Sequence, residues 1–436
     1  MIRSYKLVFG RTAAAAALSM MACSVNVDGD IASEQQALAG NVISGRVTKS
    51  GVGIPGVTVT LAGAKSMTTT TDWNGNYAFY GLSNGSYSVR PTKASCGFTP
   101  DVVNLNNLTT SVTQNFTASG SSCNSNASTQ VMNKKVYLLI FDPTVQTPSG
   151  PQRASAYFGW NDPDTLSTAQ KTWFETTTYN RMRYSIVQRS LVNDIPRKED
   201  GFDYTIDQYL ACMNQTGPCH DPDGADYLAI VQQFNICGKV NAGQIDEVWM
   251  WGGPFFGFYE SRLAGPNGYW YNSPPLEGTT CNKLVPIMGY NYERALPEVI
   301  HNYMHRSEST MAKVYGDWQE NRMNHNFDKF ALVGVQSPSF GFSGCGSGHF
   351  TPNSLADYDY TNSSNVEDSF CDDFFNYPNL STPSSVLRPT SCDRWDCDEL
   401  GYYRYWMRHV PAATGTGPDG KFNDWWKYLS NPNAAL

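Results

Sequence analysis

Two histidines four residues apart stand in a segment with helical periodicity. On a helix with about 100° between residues, His301 and His305 share one narrow stripe with two carboxylates, Glu298 and Glu308. Neighbouring imidazoles at this spacing can bind one metal ion, and a carboxylate beside the ion can accept a proton from water. The stripe therefore predicts a zinc centre at which Glu298 or Glu308 is a ligand or the catalytic base. Two alternatives are the solvent-exposed face of an amphipathic helix and a buried network of structural histidines.

A third zinc ligand is expected outside this helix. His349 lies in the glycine-rich loop 345–350, and two aspartates and a tyrosine follow at 357–359. Three imidazoles with one open position form a ligand set of catalytic zinc. We therefore predict that His349 completes the site, with His325 as the second choice.

An apolar strand leads into a loop rich in aromatic residues. Trp249 and Trp251 end the strand, and Tyr259 and Glu260 follow after Gly-Gly-Pro. Ligands of α/β proteins bind beyond strand ends, and aromatic faces suit sugar rings or peptide side chains. We predict these four residues as substrate-binding, with aromatic packing beneath the loops as the alternative. A pair of Glu260 with Glu298 would instead suit a glycoside hydrolase.

A weaker metal signal lies in the turn at 221–226. Its aspartates, Asp221, Asp223 and Asp226, resemble a calcium loop but lack the spacing and the closing glutamate of an EF-hand. A turn that enters the next helix is the alternative.

The elements that must position these residues belong to an α/β domain at 135–436. Apolar runs predict strands at 136–141, 184–187, 245–251 and 284–288. Helical periodicity predicts helices at 166–182, 226–234, 293–315 and 400–409. The helix with the two histidines thus follows the fourth predicted strand.

Residues 41–118 alternate apolar and polar side chains between Gly, Pro and Asn turns, which predicts a small all-β sandwich. A Ser/Asn-rich segment at 119–134 is typical of a linker. Its Cys123, with Cys96 of the sandwich, flanks the junction, and a disulfide between them would hold the linker to the sandwich.

Three stretches of the sandwich carry a family pattern: Gly45-Arg46-Val47, Pro55-Gly56-Val57-Thr58-Val59-Thr60-Leu61 and Gly75-Asn76-Tyr77-Ala78-Phe79. They resemble the carboxypeptidase regulatory-like domain. The resemblance implies a transthyretin-like, carbohydrate-binding-like sandwich that is a spacer or a ligand-binding module and carries no catalytic residue.

The stretch His301-Asn302-Tyr303-Met304-His305 resembles the H-E-x-x-H helix of zinc metallopeptidases. Asn302 stands where that family has glutamate, and an amide cannot accept a proton as a general base does. The resemblance implies zinc on both histidines and a metallopeptidase-like fold. The role of base then passes to Glu298 or Glu308.

Composition and the N-terminus indicate an exported protein. The chain has 39 acidic and 31 basic residues and no basic stripe, which excludes a typical nucleic-acid binder. Residues 1–23 combine basic residues, a short apolar run and Cys23, which predicts a signal peptide with a lipidation site and a tether at 24–40. The protein is then extracytoplasmic, and it is attached to the membrane only by a lipid on Cys23 or is secreted.

Ten cysteines remain after Cys23, an even number that predicts up to five disulfides in an oxidising compartment. No C-x-x-C pair occurs, which disfavours a thiolate zinc site.

The sequence therefore predicts a multidomain protein in which a small all-β sandwich precedes a larger disulfide-rich α/β domain. The function predicted is a zinc-dependent hydrolase, metallopeptidase-like, that acts on a peptide or glycan polymer. The alternative is a non-catalytic carbohydrate-binding or surface-interaction lipoprotein.

Overall fold

The computed structural model describes residues 40–436. The predicted signal peptide at 1–23, Cys23 and nearly all of the tether at 24–40 lie outside these residues. Within them the chain forms a β-sandwich, followed by an α/β region with a five-stranded sheet and long loops.

Ten strands build the sandwich: β1 (Asn41–Lys49), β2 (Val52–Gly53), β3 (Thr58–Gly63), β4 (Met67–Thr70), β5 (Asn76–Leu82), β6 (Gly85–Thr92), β7 (Gly97–Thr99), β8 (Val103–Leu108), β9 (Val112–Thr113) and β10 (Phe116–Ser119). One sheet has the order β4-β3-β6-β8, and in the other β1 pairs with β2, β5, β9 and β10. The period of two turns Val59 and Leu61 of β3 into the core, where Leu61 pairs with Val89. The disulfide Cys96–Cys123 confirms the expected link at the junction.

The segment predicted as a linker is fixed on the α/β region. The backbone N–H of Ser128 donates to the carbonyl of Ala412 at 2.6 Å, and Asn126 Nδ2 donates to the carbonyl of Tyr377 at 3.1 Å. Because several hydrogen bonds hold it, this segment is a structured connection between the two regions.

The α/β region contains the following elements: β11 (Met132–Phe141), β12 (Thr144–Thr147), β13 (Gly150–Arg153), α1 (Ala154–Tyr157), α2 (Pro163–Thr177), β14 (Met182–Val192), α3 (Ile206–Met213), α4 (Tyr227–Gln233), α5 (Ile236–Asn241), β15 (Glu247–Gly252), β16 (Ser261–Ala264), β17 (Val285–Asn291), α6 (Leu296–Tyr315), α7 (Asn326–Phe330), β18 (Glu367–Ser369), β19 (Arg388–Thr390), α8 (Glu399–His409), β20 (Ala412–Thr416), β21 (Phe422–Asp424) and α9 (Trp426–Leu429). Short 3₁₀ helices lie at Cys371–Asn376, Pro383–Ser385, Cys392–Trp395 and Pro432–Ala435.

The main sheet has the order β14-β11-β15-β17-β16. The first four strands are parallel, and β16 is antiparallel to β17 at the edge. Strand β15 is buried along its whole length, because helices cover both faces of a parallel sheet. Helices α2, α6 and α8 pack on one face, and α3, α4 and α5 pack on the other.

The chain itself covers the outer edge of β16. The backbone N–H of Leu276 donates to the carbonyl of Leu263 at 2.8 Å, and the hydroxyl of Ser273 donates to the carbonyl of Ser261 at 2.8 Å. A parallel bridge between Ala264 and Leu276 completes this pairing. Segment 271–276 therefore occupies the position that a sixth strand would take.

Helix α6 starts three residues later than predicted, with Pro297 in its first turn, and ends where Gly316 takes a φ of 96°. The helix predicted at 166–182 is shorter in the structure. It ends at Thr177, because Tyr179 and Asn180 adopt positive φ angles that a right-handed helix excludes.

Disulfides hold loops both between the strands of the main sheet and after its last strand. Besides Cys96–Cys123, the pairs are Cys212–Cys219, Cys237–Cys281, Cys345–Cys371 and Cys392–Cys397. Five disulfides indicate an oxidising compartment and therefore an extracellular or surface location. Among residues 40–436 no helix has the length and apolar character needed to cross a bilayer.

Candidate metal centre

Three imidazoles meet beside helix α6. His301 and His305 project from successive turns of the helix, and His349 reaches them from the loop after α7. Nε2 of His305 lies 2.9 Å from Nε2 of His301 and 3.0 Å from Nε2 of His349. The structure thus brings together the three histidines that the sequence predicts, and we call this cluster the three-histidine centre.

The second nitrogen of each ring has its own partner. Nδ1 of His301 lies 2.8 Å from the hydroxyl of Tyr403, and Nδ1 of His305 lies 2.9 Å from Oε2 of Glu308. Nδ1 of His349 lies 3.1 Å from Oδ1 of Asp357. These contacts fix the orientation of all three rings, as outer-shell partners of metal-binding histidines do.

The partners also determine where each ring carries its proton. Carboxylates only accept hydrogen bonds, so His305 and His349 donate from Nδ1. The hydroxyl of Tyr360 donates to a backbone carbonyl, so it can only accept from Tyr403. Tyr403 therefore donates its proton to Tyr360 or to Glu399, and its oxygen accepts a hydrogen bond from Nδ1 of His301. Each neutral ring then has a lone pair on Nε2. Nε2 of His305 lies 2.9–3.0 Å from Nε2 of the other two rings, so a cation between the rings would have three nitrogen ligands close together.

A tight loop brings His349 to the helix. The backbone N–H of Gly348 donates to Oε1 of Glu308 at 2.6 Å, and the hydroxyl of Tyr360 donates to the carbonyl of Gly348 at 2.6 Å. A Cβ at Gly348 would lie 3.3 Å from Glu308 and 3.4 Å from His305, so glycine allows this close approach. The disulfide Cys345–Cys371 holds the start of the loop.

Burial and neighbouring charges set the protonation of the three rings. Burial, together with His305 and His349, lowers the pKa of His301 to about 3. Burial and the nearby His305 also lower the pKa of His349. For His305 burial acts in the same direction, but the hydrogen bond and the charge of Glu308 outweigh it and raise the pKa. Two of the rings are therefore neutral at pH 7, the form that binds a metal ion.

The two carboxylates of the predicted stripe have different surroundings. Glu308 is buried, and its two oxygens accept from His305 and from the backbone of Gly348. Glu298 is partly exposed and forms an ion pair with Arg294 at 3.6 Å. Since His301 and Glu308 are buried, the stripe is not the solvent-exposed face of the helix.

Glu260 stands beside this centre, at the start of β16. It is half-buried, and Oε2 accepts a hydrogen bond from Asn272, whose backbone N–H donates to Ser309 of α6 at 3.0 Å. Burial raises the pKa of Glu260, His305 lowers it, and the negative charges of Glu298 and Glu308 raise it further. Glu260 is thus a carboxyl group within the electrostatic reach of the three-histidine centre.

Asn302, which stands where the resembling family has glutamate, points toward the sheet. Its Nδ2 donates to the carbonyl of Gly289 at 2.9 Å, and Gly289 N donates to the carbonyl of Glu260 at 3.1 Å. Asn302 is 5 % exposed. It therefore links α6 to β17 and to the residue before β16.

The aromatic prediction is wrong for two of its residues. Trp249 and Trp251 are fully buried in β15, where they pack on Tyr184 and Tyr290. A strand that is covered on both faces exposes no side chain to a substrate. Tyr259 is 39 % exposed, with the guanidinium of Arg262 at 5.3 Å from its ring.

Two further sequence candidates have structural roles. Oδ1 of Asp223 accepts from Lys198 at 2.6 Å, and Asp226 caps helix α4. The acidic turn is thus the entry to a helix, which favours the alternative to the calcium prediction. His325 caps α7 and lies beside Asp317, away from the three-histidine centre.

Sequence reasoning missed Tyr403, Tyr360 and Glu399. Tyr403 and Glu399 lie on α8, about a hundred residues after His301, and only the fold brings them together. Tyr358 was already noted in the sequence because it closely follows His349. Its hydroxyl lies 3.1 Å from Nε2 of His349.

The family model of the carboxypeptidase regulatory-like domain matches residues 42–119. This confirms the prediction made from the strand pattern of β1–β10, and it covers less than a fifth of the 436 residues. No curated protein matches the chain in sequence.

Solved structures match small parts of the chain. GBS52, the minor pilin of Streptococcus agalactiae, has 13 % identity and a TM-score of 0.17, over 19 % of this chain and 46 % of its own. A DUF3823 family protein of Parabacteroides merdae has 16 % identity and a TM-score of 0.16, over 18 % of this chain and 46 % of its own. The Bacillus anthracis TIE protein has 11 % identity and a TM-score of 0.17, over 26 % of this chain and 23 % of its own. The chain thus spans less than half the length of these three neighbours, and no functional conclusion follows from them.

Proposed function

We propose that the protein is a zinc-dependent hydrolase, metallopeptidase-like, whose metal is held by His301, His305 and His349. The supporting observation is the convergence of three Nε2 atoms, in which Nε2 of His305 lies 2.9 Å from that of His301 and 3.0 Å from that of His349. Three imidazole ligands with a fourth position open are typical of catalytic zinc, whereas structural zinc has four protein ligands.

Two more features support this proposal. Each Nδ1 nitrogen has a hydrogen-bonding partner, which orients the ring and increases the basicity of Nε2. Helix α6 also follows the last parallel strand of the sheet, which is compatible with the topology that the resemblance to zinc metallopeptidases implies.

Residues of the chain itself would accept the proton and position the metal ligands. Bound zinc would lower the pKa of a water molecule to about 7 and polarise the carbonyl of the substrate. We assign the proton-accepting role to Glu260, because its carboxyl is half-buried and interacts electrostatically with His305. Glu308 positions His305 and the loop of His349, and both of its oxygens are already used. Glu298 is held in an exposed ion pair.

Tyr358 supplies a hydrogen-bond donor at the mouth of the site. Its side chain is 54 % exposed, and its hydroxyl is 3.1 Å from Nε2 of His349. Zinc on Nε2 of His349 would displace this hydroxyl, which could then donate to the oxygen on which negative charge develops during attack on a carbonyl.

The proposed substrate class is a peptide polymer. Two exposed rings, Tyr259 and Trp270, are close in sequence to Glu260 and Asn272 and offer apolar surface for side chains. The second candidate is a non-catalytic surface-interaction protein in which the three-histidine centre only binds metal.

Metal content of the purified protein tests the first step. After zinc loading and dialysis, mass spectrometry should find close to one zinc per chain, and the His301→Ala/His305→Ala variant should have almost none. The control His220→Ala removes a histidine that stacks on Phe202 outside the centre, and it should keep its zinc. Zinc absent from the parent protein, or retained in the double variant, contradicts the proposed site.

Hydrolysis is tested separately on a fluorogenic peptide library. The zinc-loaded protein should cleave members of the library, and the double variant should not. Stoichiometric zinc without cleavage of any peptide would contradict the hydrolase and favour the non-catalytic alternative.

A further inference from the structure

A groove lies between the sandwich and the α/β region. Strands β4 and β5 form one wall, and the 3₁₀ helix Cys392–Trp395 with α8 forms the other. Its volume is about 760 Å³, which is in the range of sites that bind ligands between domains. We call it the interdomain groove, and the three histidines of the metal centre are not among its residues.

Contacts at one end of the interdomain groove hold its two walls together. The hydroxyl of Tyr179 donates to Oδ2 of Asp72 at 2.5 Å, and the rings of Trp73 and Phe375 meet edge to face at 6.3 Å. The groove is therefore a formed cavity whose width these contacts fix.

Positive charge predominates in the groove although the whole chain has a net charge of −8. The cationic lining residues are Lys65, Arg46, Arg388, Arg394, Arg404 and Arg408, and the acidic ones are Asp72, Asp393 and Asp396. Six cations and three carboxylates thus line the groove, and one of the cations, Arg394, is already paired with Asp372 outside the lining. Of the three carboxylates, Asp72 already accepts from Tyr179 and from backbone N–H groups.

Several of the guanidinium groups are held in place. Arg394 donates to Asp372 at 2.5 Å, and the guanidinium of Arg408 lies 4.8 Å from the ring centre of Tyr179. Nε of Arg388 is buried and has no acceptor among the described residues.

One aromatic ring lies open in the groove. Tyr80 on β5 is 37 % exposed. It lines the groove together with Arg404 and Arg408 of α8. Such a ring offers a flat apolar surface beside the cationic groups.

We propose that the interdomain groove binds an acidic oligosaccharide. Its carboxylates would pair with arginines on both walls, since guanidinium and carboxylate groups match in planar geometry and charge. The C–H face of a sugar ring would stack on Tyr80. A repeating acidic sugar presents carboxylates at regular intervals together with apolar ring faces, and this combination is what the groove offers.

This proposal is independent of the zinc hydrolase, because it concerns different residues. The test uses the full chain and a hexamer of galacturonic acid as the probe, with binding measured by calorimetry. We expect saturable binding that weakens as salt increases, because the contacts are ionic. The methyl-esterified hexamer, which has the same rings without charge, should bind at least about tenfold more weakly.

Two variants locate the binding site. Tyr80→Ala and Arg46→Ala/Arg404→Ala should each reduce affinity by about tenfold or more. Tyr157→Ala and Arg90→Ala change an exposed tyrosine and an exposed arginine outside the groove and should bind like the parent. Thermal unfolding of every variant separates lost binding from lost folding.

Each of three results would overturn the proposal. Equal binding of the esterified hexamer would exclude recognition of the carboxylates. Unchanged binding by the folded groove variants would exclude the interdomain groove. Tighter binding of poly-glutamate, lost in the same variants, would assign the groove to acidic peptides.

Discussion

Helix α8 has two faces with different surroundings. Tyr403 and Glu399 face the three-histidine centre, whereas Arg404 and Arg408 line the interdomain groove. On the first face the hydroxyl of Tyr403 is the direct partner of His301, so a small shift would change the orientation of that ring. On the second face the two arginine side chains line a cavity that is open to solvent.

The difference shows how one rigid element can serve two purposes. The three-histidine centre depends on positions that are fixed to fractions of an ångström, as catalysis requires. The interdomain groove depends on charge and surface, and such contacts tolerate adjustment. Substitutions should therefore have large effects on the first face and moderate effects on the second.

The largest effect is expected from Glu260→Gln. The amide keeps the size of the side chain but accepts no proton, so hydrolysis should fall by about 10²–10⁴-fold while zinc content stays at the parent level. The matched control is Glu298→Gln, which removes a carboxylate held by Arg294 and should change the rate only slightly. The measurement is kcat/KM of both variants. Equal losses of kcat/KM would contradict the assignment of the proton-accepting role to Glu260.

A smaller effect is expected from Glu308→Gln. This change removes the charge that orients His305 and leaves one oxygen for two N–H donors. The dissociation constant for zinc should rise about 10- to 100-fold, as for other outer-shell substitutions. Competition with a zinc chelator measures it, and Glu293→Gln, before the start of the same helix, is the control. An unchanged dissociation constant would mean that Glu308 does not position the ligand.

The pH profile provides a third test. Glu260 must be ionised to accept a proton. Burial and the charges of Glu298 and Glu308 raise the pKa of Glu260, whereas His305 and the hydrogen bond from Asn272 lower it. The acid limb of kcat/KM should therefore report the ionisation of Glu260. Asn272→Ala removes one lowering contact and should move the limb to higher pH. A shift to lower pH would contradict this role of Glu260.

The smallest effect is expected when a change on one face of α8, the removal of zinc, is measured by ligand binding on the other face. Removal of zinc should change the affinity for the galacturonate hexamer by less than about twofold, because the two sites share no residue. Calorimetry with and without a chelator measures this. A larger change would mean that α8 shifts when zinc binds.

Much of this architecture could be predicted from local patterns. The alternation around Val59 and Leu61 identified the sandwich, and the apolar runs identified four of the five strands of the main sheet. His301 and His305 were predictable because a helix places residues four apart on one side. His349 was predictable because few other histidines were available.

The rest depends on contacts that no local pattern contains. Tyr403 and Asp357 are partners of the centre only because α8 and the loop fold onto α6. Trp249 and Trp251 have the composition of a binding surface, but a strand between two layers of helices is closed to ligands. Glu260 was predicted as a substrate contact, and its relation to His305 emerged only from the fold.

The covered edge of β16 limits how an extended peptide could bind beside it. Segment 271–276 already uses the outward carbonyls of Ser261 and Leu263, so an extended chain cannot add to the sheet there by backbone pairing. A peptide at this edge would have to be recognised by its side chains. The same cover leaves no open strand at this edge where a second molecule could associate.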